Sequence, residues 1–166
     1  LPGHTENFEG LGIIERSLMI MSGIGAIIIL FQFLTPKDRE MSVSHVIDRL
    51  PNHQAKLPFR NWAAQFVGSA ISLGSGQSVG REGPVVHLGA GAASQFAQWL
   101  RLPNNSINIL TGCGVSAAIS ASFDTPLAGV IFAMEVLALE YSIVGFVPVI
   151  LASVVGTMVS QAALGS

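Results

Sequence analysis

The amino-acid sequence predicts an all-α fold, a polytopic membrane protein of short, tilted and broken helices. Half of the 166 residues are apolar and only 11% are charged, against about 25% charged residues in an ordinary soluble domain. The charges are also uneven. Residues 61–166 hold only Arg81, Glu82, Arg101, Asp124, Glu135 and Glu140, and all others fall within residues 1–60, so the bilayer portion concentrates in the second part. The uncharged runs there are dense in Gly, Ala and Ser, which suits helices whose backbones approach closely in lipid.

Ser17 to Leu34 carries no charge; as a helix it reaches about 27 Å, close to a hydrocarbon core of about 30 Å. This is the first expected span. Segment 35–60 is polar, with Lys37, Arg39, Arg49, Lys56 and Arg60 set against Asp38, Glu40 and Asp48. A short helix is expected there from Val43 to Leu50, stopped by Pro51, and the basic excess favours the cytoplasmic side.

The remaining apolar stretches run from Asn61 to Val79, Pro84 to Leu100, Ile107 to Phe123, Pro126 to Met134 and Ser142 to Leu164. Several are too short to cross a bilayer upright. Gly68, Ser69, Gly74, Ser75 and Gly76, then Gly89, Gly91, Gly112 and Gly114, mark their close-packing faces. Backbone groups freed at a helix break are tolerated in a membrane only where they are buried in protein or line a polar cavity. Such breaks point to a transport site.

A net charge of −2 leaves no basic footprint for nucleic acid, and no Lys/Arg cluster forms a lipid-headgroup patch. Cys113 is the single cysteine; it makes no intrachain disulfide and reads as a small packing residue. His4, His45, His53 and His87 are scattered without ligand spacing, so neither a metal nor a cofactor is expected. Asn104-Asn105-Ser106 matches a glycosylation triplet in a short connection, a pattern that is frequent by chance. The chain opens Leu1-Pro2-Gly3-His4, with no Met and no signal-peptide pattern, and reads as an excerpt of a longer polypeptide. No period of 20–50 residues recurs within it.

The constellation that carries chemistry is Gly76-Gln77-Ser78-Val79-Gly80-Arg81-Glu82-Gly83-Pro84, between two apolar segments. Pro84 suits the first turn of a new helix, and the glycines leave backbone amides unshielded. A helix start offers free N–H groups and the positive end of the macrodipole, which hold a small anion without a full positive charge. That suits conduction, because the ion must also leave. Glu82 places an ionisable group beside those amides in an apolar region, where such a group suggests function. Ionised, it mimics the anion and occupies its site; protonated or swung aside, it vacates that site. Taken alone, the same residues also read as a charged turn with Glu82 at a helix start for ordinary dipole reasons.

Gly80-Arg81-Glu82-Gly83-Pro84 resembles the signature of the CLC family of chloride channels and chloride/proton exchangers. The flanking text is similar too: Val86-His87-Leu88-Gly89, the run Gly112-Cys113-Gly114-Val115-Ser116-Ala117-Ala118-Ile119-Ser120-Ala121-Ser122-Phe123-Asp124-Thr125-Pro126-Leu127-Ala128-Gly129, and Val130-Ile131-Phe132-Ala133-Met134-Glu135. The resemblance covers nearly the whole chain. It implies part of an inverted-repeat fold, with residues 1–166 as part of the first repeat and the second repeat outside the chain. It further implies a multi-pass protein of the plasma or inner membrane, working as a homodimer with one chloride route per subunit. Glu82 matches the family's gating glutamate, with the anion held beside Gly80, Arg81, Gly83, Pro84, Val85 and Val86. The helices from Pro126 onward and from Ile143 to Leu164 fall near the family's dimer interface, although lipid contact reads the same.

Two departures from the family pattern stand out. Its Gly-Ser-Gly-Ile-Pro run corresponds without gaps to Glu40-Met41-Ser42-Val43-Ser44, where Ser42 or Ser44 stands in for the serine but the glycines and proline are missing. The second glutamate of the exchangers' inner proton route follows the position matched by Glu135, and here that position is Val136. A valine carries no proton, so passive or weakly coupled chloride flux is expected, with chloride/proton antiport as the alternative. Glu135 is expected on or near the interior, and with Glu140 it closes a short apolar helix; a hydrogen-bonded structural carboxylate and a role in permeation both fit.

An alternative from another class uses Gly76-Gln77-Ser78-Val79-Gly80 as a G-x-S-x-G elbow, making Ser78 and His87 the pair of an intramembrane serine hydrolase. The elbow needs a strand before its serine, whereas the preceding segment reads as a helix. His87 reads better as a packing or hydrogen-bonded residue.

Overall fold

In the computed structural model, which describes residues 12–34, 43–52, 56–80, 82–136 and 143–165, the expected stretches become helices. They are α1 (Ile13–Gln32), α2 (Val43–Asn52), α3 (Phe59–Gly74), α4 (Glu82–Trp99), α5 (Asn104–Phe123), α6 (Pro126–Val136) and α7 (Ile143–Leu164). Among the described residues there is no strand. The all-α expectation holds, with shifts at the ends. The first span begins at Ile13 rather than Ser17, because Glu15 Oε2 accepts the Gly12 N–H at 3.2 Å and satisfies a donor at the helix start. Helix α2 runs to Asn52, past Pro51; a proline in the last turn removes only one ladder bond. The triplet Asn104-Asn105-Ser106 is not a connection but the first turn of α5, which starts after Pro103.

Among the described residues, three helical segments are long and apolar enough to cross a membrane: Ile13–Gln32, Asn104–Phe123 and Gly145–Ala163. Helices α2, α3 and α6 have 10, 16 and 11 residues, too short to span upright. Ile13 on α1 and Phe33 just after it are 85% and 86% exposed, and Leu151, Val155, Met158 and Val159 on α7 are exposed as well. Apolar faces of this extent suit contact with lipid or with further protein surface.

Helix α5 is the hub, packing on α4, α6 and α7; α4 in turn carries α2 and α3, and α1 lies against α3. Small residues permit this. Gly89 and Gly114 meet backbone to backbone between α4 and α5, Gly156 of α7 lies against Ala117, and Gly129 of α6 against Ser116 and Ser120. Val86, Ala90, Ala97, Ile107, Val115 and Ile119 fill the main core. Serines bridge the helices where little hydrophobic force acts between them: Ser116 Oγ donates to Val149 O at 3.3 Å, Ser120 and Ser153 share a hydrogen bond, Ser153 also donates to Pro126 O, and Ser160 Oγ donates to Ala121 O at 3.0 Å.

Leu57, just before α3, is clamped onto α4. Ser94 Oγ accepts the Leu57 N–H at 3.0 Å, while Gln95 and Gln98 donate to the Leu57 carbonyl. Leu57 and Ser94 are both fully buried, so these bonds satisfy backbone groups that would otherwise be costly.

Candidate functional site

The segment before the site is built by a tight reversal. Helix α3 ends at Gly74, Ser75 caps it, and Gly76 takes φ +71°, a left-handed conformation that glycine adopts without Cβ strain. Gly76 N–H donates to Leu73 O at 3.1 Å and Gln77 N–H to Ser72 O at 3.1 Å. Ser75 Oγ donates to Ser72 O at 3.1 Å and accepts from Gln77 Nε2 at 3.0 Å. Gly23 on α1 makes room for this turn, since a Cβ there would collide with the Ser75 side chain. Residues 77–80 carry no regular secondary structure, and Val79 N–H donates to Gln77 O at 2.9 Å.

Glu82 is the first residue of α4 and is exposed. Its carboxylate sits where the helix dipole favours negative charge. A Cβ added at Gly80 or at Gly83 would meet no atom within 4 Å, so the backbone on either side of Glu82 is open to approach. A helix beginning at Glu82 leaves the first amides without acceptors inside the helix. Among them Gly83 contributes an N–H and Pro84 none, while the Val86 amide is in register with the Glu82 carbonyl. Val85 is half-buried and Val86 fully buried against Val115 and Ile119. This packing anchors the first turn from below.

Two cavities flank the site. One of about 160 Å³ lies between α1, α3 and the incoming segment, with Gln65, Ser69, Ser72, Val79, Gly80 and Pro84 on its wall. The other, of about 450 Å³, is lined by Glu82, Ile119, Phe123, Thr125, Ala128 and Phe132, so the Glu82 side chain shares a space with the α5–α6 corner.

The helix axis behind Glu82 is pinned by Trp62, whose Nε1 donates to Leu88 O at 3.1 Å and whose ring fills the space above Gly91. Trp62, Thr125 and Phe132 are site neighbours that sequence reasoning missed. Nothing local marks a contact with a residue 26 positions away, as Trp62 makes with Leu88.

The other sequence candidates fall elsewhere. Arg81 and Ser42 lie outside the described residues, as does Glu140; Ser44 is exposed on α2. Glu135, expected on or near the interior, is exposed. Helix α6 turns Gly129, Val130, Ala133 and Met134 inward, and the residue after Met134 lies about 100° around the helix from it. Val136 ends α6. Ser78 is exposed in the irregular segment after α3, whereas His87 is fully buried in α4. The element before Ser78 is a helix, so the strand that a G-x-S-x-G elbow requires is replaced and the hydrolase geometry fails.

Comparison with known proteins supports the same reading. The family model described as "Voltage gated chloride channel" matches residues 22–166. A "Chloride/fluoride channel protein" of Pseudomonas syringae pv. tomato is 33% identical over 120 residues, covering 70% of this chain and 26% of that protein. A "Voltage-gated ClC-type chloride channel ClcB" of Escherichia coli (strain K12 / DH10B) is 39% identical over 104 residues, covering 61% of this chain and 25% of that protein. The chain thus spans about a quarter of the length of these curated relatives. No solved structure matches significantly. A match over residues 22–166, together with three helices of membrane-crossing length and composition, makes this an integral, multi-pass membrane protein rather than a hydrolase, and the chain belongs to the voltage gated chloride channel family.

Proposed function

We propose that the protein carrying this chain moves chloride across a membrane, passively or with weak proton coupling, and that Glu82 gates the route at the start of α4. The observation that carries this reading is the placement of a carboxylate as the first residue of a helix whose flanking glycines leave the backbone open. Dipole and free amides there hold an anion and release it again. Glu82 competes for the same place, so its removal frees the route. The relatives' printed names, which give chloride and in one case chloride with fluoride, support the substrate class.

In this reading residues 1–166 form part of the first of two inverted repeats, and the full protein is a homodimer. Gly83 supplies a free amide at the helix start, and Arg81 and Ser42, both outside the described residues, are further anion-binding candidates. A second reading, chloride/proton antiport with Glu82 as proton carrier, is favoured by the titratable group at the site; Val136, at the position after Glu135, favours the first.

Chloride efflux from liposomes, measured for the full-length protein and for Glu82→Ala, tests the gate. The variant is expected to conduct faster at neutral pH and to lose the pH dependence of the wild type. Unchanged flux with unchanged pH dependence removes Glu82 from the gate. Uphill proton movement driven by a chloride gradient in the same vesicles establishes antiport instead.

A further inference from the structure

Resting on the reading of the α4 start as an anion site, we propose that Gly23 on α1 is a positioning residue for that site. It seats the Ser75–Gln77 turn, and through the turn α1 sets where the backbone amides beside Glu82 stand and hence which anions the route prefers.

The contact is close. Gly23 is the buried residue of α1, whereas Ile24, Ile28 and Ile29 are exposed. A Cβ at position 23 would collide with Oγ and Cβ of Ser75 and lie 3.0 Å from Gln77 Nε2. Glycine is otherwise a poor residue for a helix interior. At Gly25, one turn away from no such constraint, a Cβ meets nothing within 4 Å, so the demand for glycine at 23 comes from the turn and not from the helix.

The same face of α1 continues along the approach to the site. Gly23, Ile27 and Phe31 follow at four-residue spacing and so share one stripe. Ile27 and Phe31 line the cavity of about 160 Å³ whose wall also includes Val79, Gly80 and Pro84. Gly80 and Pro84 stand two residues before and two after Glu82. Leu30 adds a contact to α3, lying 3.7 Å from a Cβ built on Gly68.

The turn has little slack with which to absorb a displacement. Ser75 N–H donates to Ile71 O at 2.9 Å, Gln77 N–H to Ser72 O at 3.1 Å and Val79 N–H to Gln77 O at 2.9 Å. Ser75 Oγ also bonds both Ser72 O and Gln77 Nε2. Moving Ser75 therefore moves residues 76–79 with it. The body of α4 is held independently, by Trp62 at Leu88 O and by the approach of Gly89 to Gly114. A shift arriving from the turn is taken up at the α4 start, where Gly80 has no side chain to resist it. Selectivity at backbone dipoles depends on the size of the site and on the number of dipoles that reach the ion, and both follow the position of these amides.

The test is the nitrate-to-chloride permeability ratio of the full-length protein in liposomes. The variants are Gly23→Ala, Ser75→Gly, Gly23→Ala/Ser75→Gly, Ser75→Ala and Gly25→Ala, with Glu82→Ala as the check on the anion-site reading. Gly23→Ala is expected to change the ratio by about threefold or more, as misplacement of a site by a remote contact does. A loss of stability alone lowers the amount of active protein without changing the ratio. In the Ser75→Gly background, where the colliding side chain is absent, Gly23→Ala is expected to change nothing further. Gly25→Ala keeps the wild-type ratio. A wild-type ratio in Gly23→Ala overturns the inference, and so does an equal effect of Gly23→Ala with and without the Ser75 side chain, or an equal effect of Gly25→Ala. If Gly23→Ala yields no folded protein, Ser75→Ala decides. It removes the hydroxyl that fastens the turn and is expected to shift the ratio, whereas an unshifted ratio overturns the inference. If Glu82→Ala keeps the wild-type flux and pH dependence, the anion-site reading falls and this inference with it, a pattern distinct from the others because Glu82→Ala leaves the turn untouched.

Discussion

Gly89 on α4 and Gly114 on α5 are reciprocal: a Cβ on either would lie within 3.0 Å of the other's carbonyl carbon and closer still to its oxygen. The helix that begins with Glu82 is therefore set against the hub helix by a contact between backbones, with no side chain able to yield. Gly114→Ala or Gly89→Ala is expected to destabilise the protein by about 1–3 kcal/mol, seen as a lower Tm in detergent. Gly25 on α1 is a contrast, since a Cβ there meets nothing within 4 Å. Gly25→Ala should leave stability unchanged or raise it by about 0.5–1 kcal/mol through helix propensity. Equal effects at the two kinds of position would contradict the close approach.

Trp62 holds α4 through one hydrogen bond and one ring contact. Trp62→Phe keeps a ring but loses the indole N–H, so a loss of about 0.5–1.5 kcal/mol is expected from the hydrogen bond to Leu88 O. Thermal unfolding, followed by circular dichroism, measures that loss. An unshifted Tm in Trp62→Phe would show that the bond contributes nothing.

Ser153 ties α5 to the start of α6 by bonding both Ser120 and Pro126 O. Ser120→Ala, Ser153→Ala and the double variant form a cycle whose coupling energy reads the shared bond directly. The expected coupling is about 0.6 kcal/mol, with about 1.7 kcal/mol as the ceiling for such bonds in membrane helices. Strict additivity of the two single effects would mean that the serines do not interact.

Arg101 closes α4 in the left-handed conformation at φ +53°, with Leu102 N–H donating to Ala97 O at 3.1 Å. Glycine is the residue suited to that position. Arg101→Gly is expected to stabilise the chain by up to about 1 kcal/mol, the left-handed strain relieved less the entropy cost of glycine, with a rise in Tm as the readout. Asp124 shares the same φ, but Asp tolerates it better, so Asp124→Gly should gain less.

Much of the fold was legible before any coordinates. Uncharged runs separated by Pro, Gly and charged residues marked six of the seven helices to within a few residues, and the polar segment 35–60 still revealed α2. Helix type and approximate bounds follow from local composition, because backbone hydrogen bonds in lipid must close within each segment. The position of Glu82 at a helix start followed from Pro84 and the glycines before it, again a local signal.

What stayed hidden depends on which face of each helix meets which neighbour. Glu135 looked like an interior residue because its helix is apolar throughout; only the inward turn of Val130, Ala133 and Met134 exposed it. A uniformly apolar helix has no period to read, so tertiary contact alone fixes its rotation. The sequence by itself determined that Glu82 lies near a helix start, among glycines and just before Pro84. Tertiary structure decided what surrounds that carboxylate: Trp62 behind its helix and Thr125 with Phe132 across the cavity, brought there by close approach of small residues far apart in the chain.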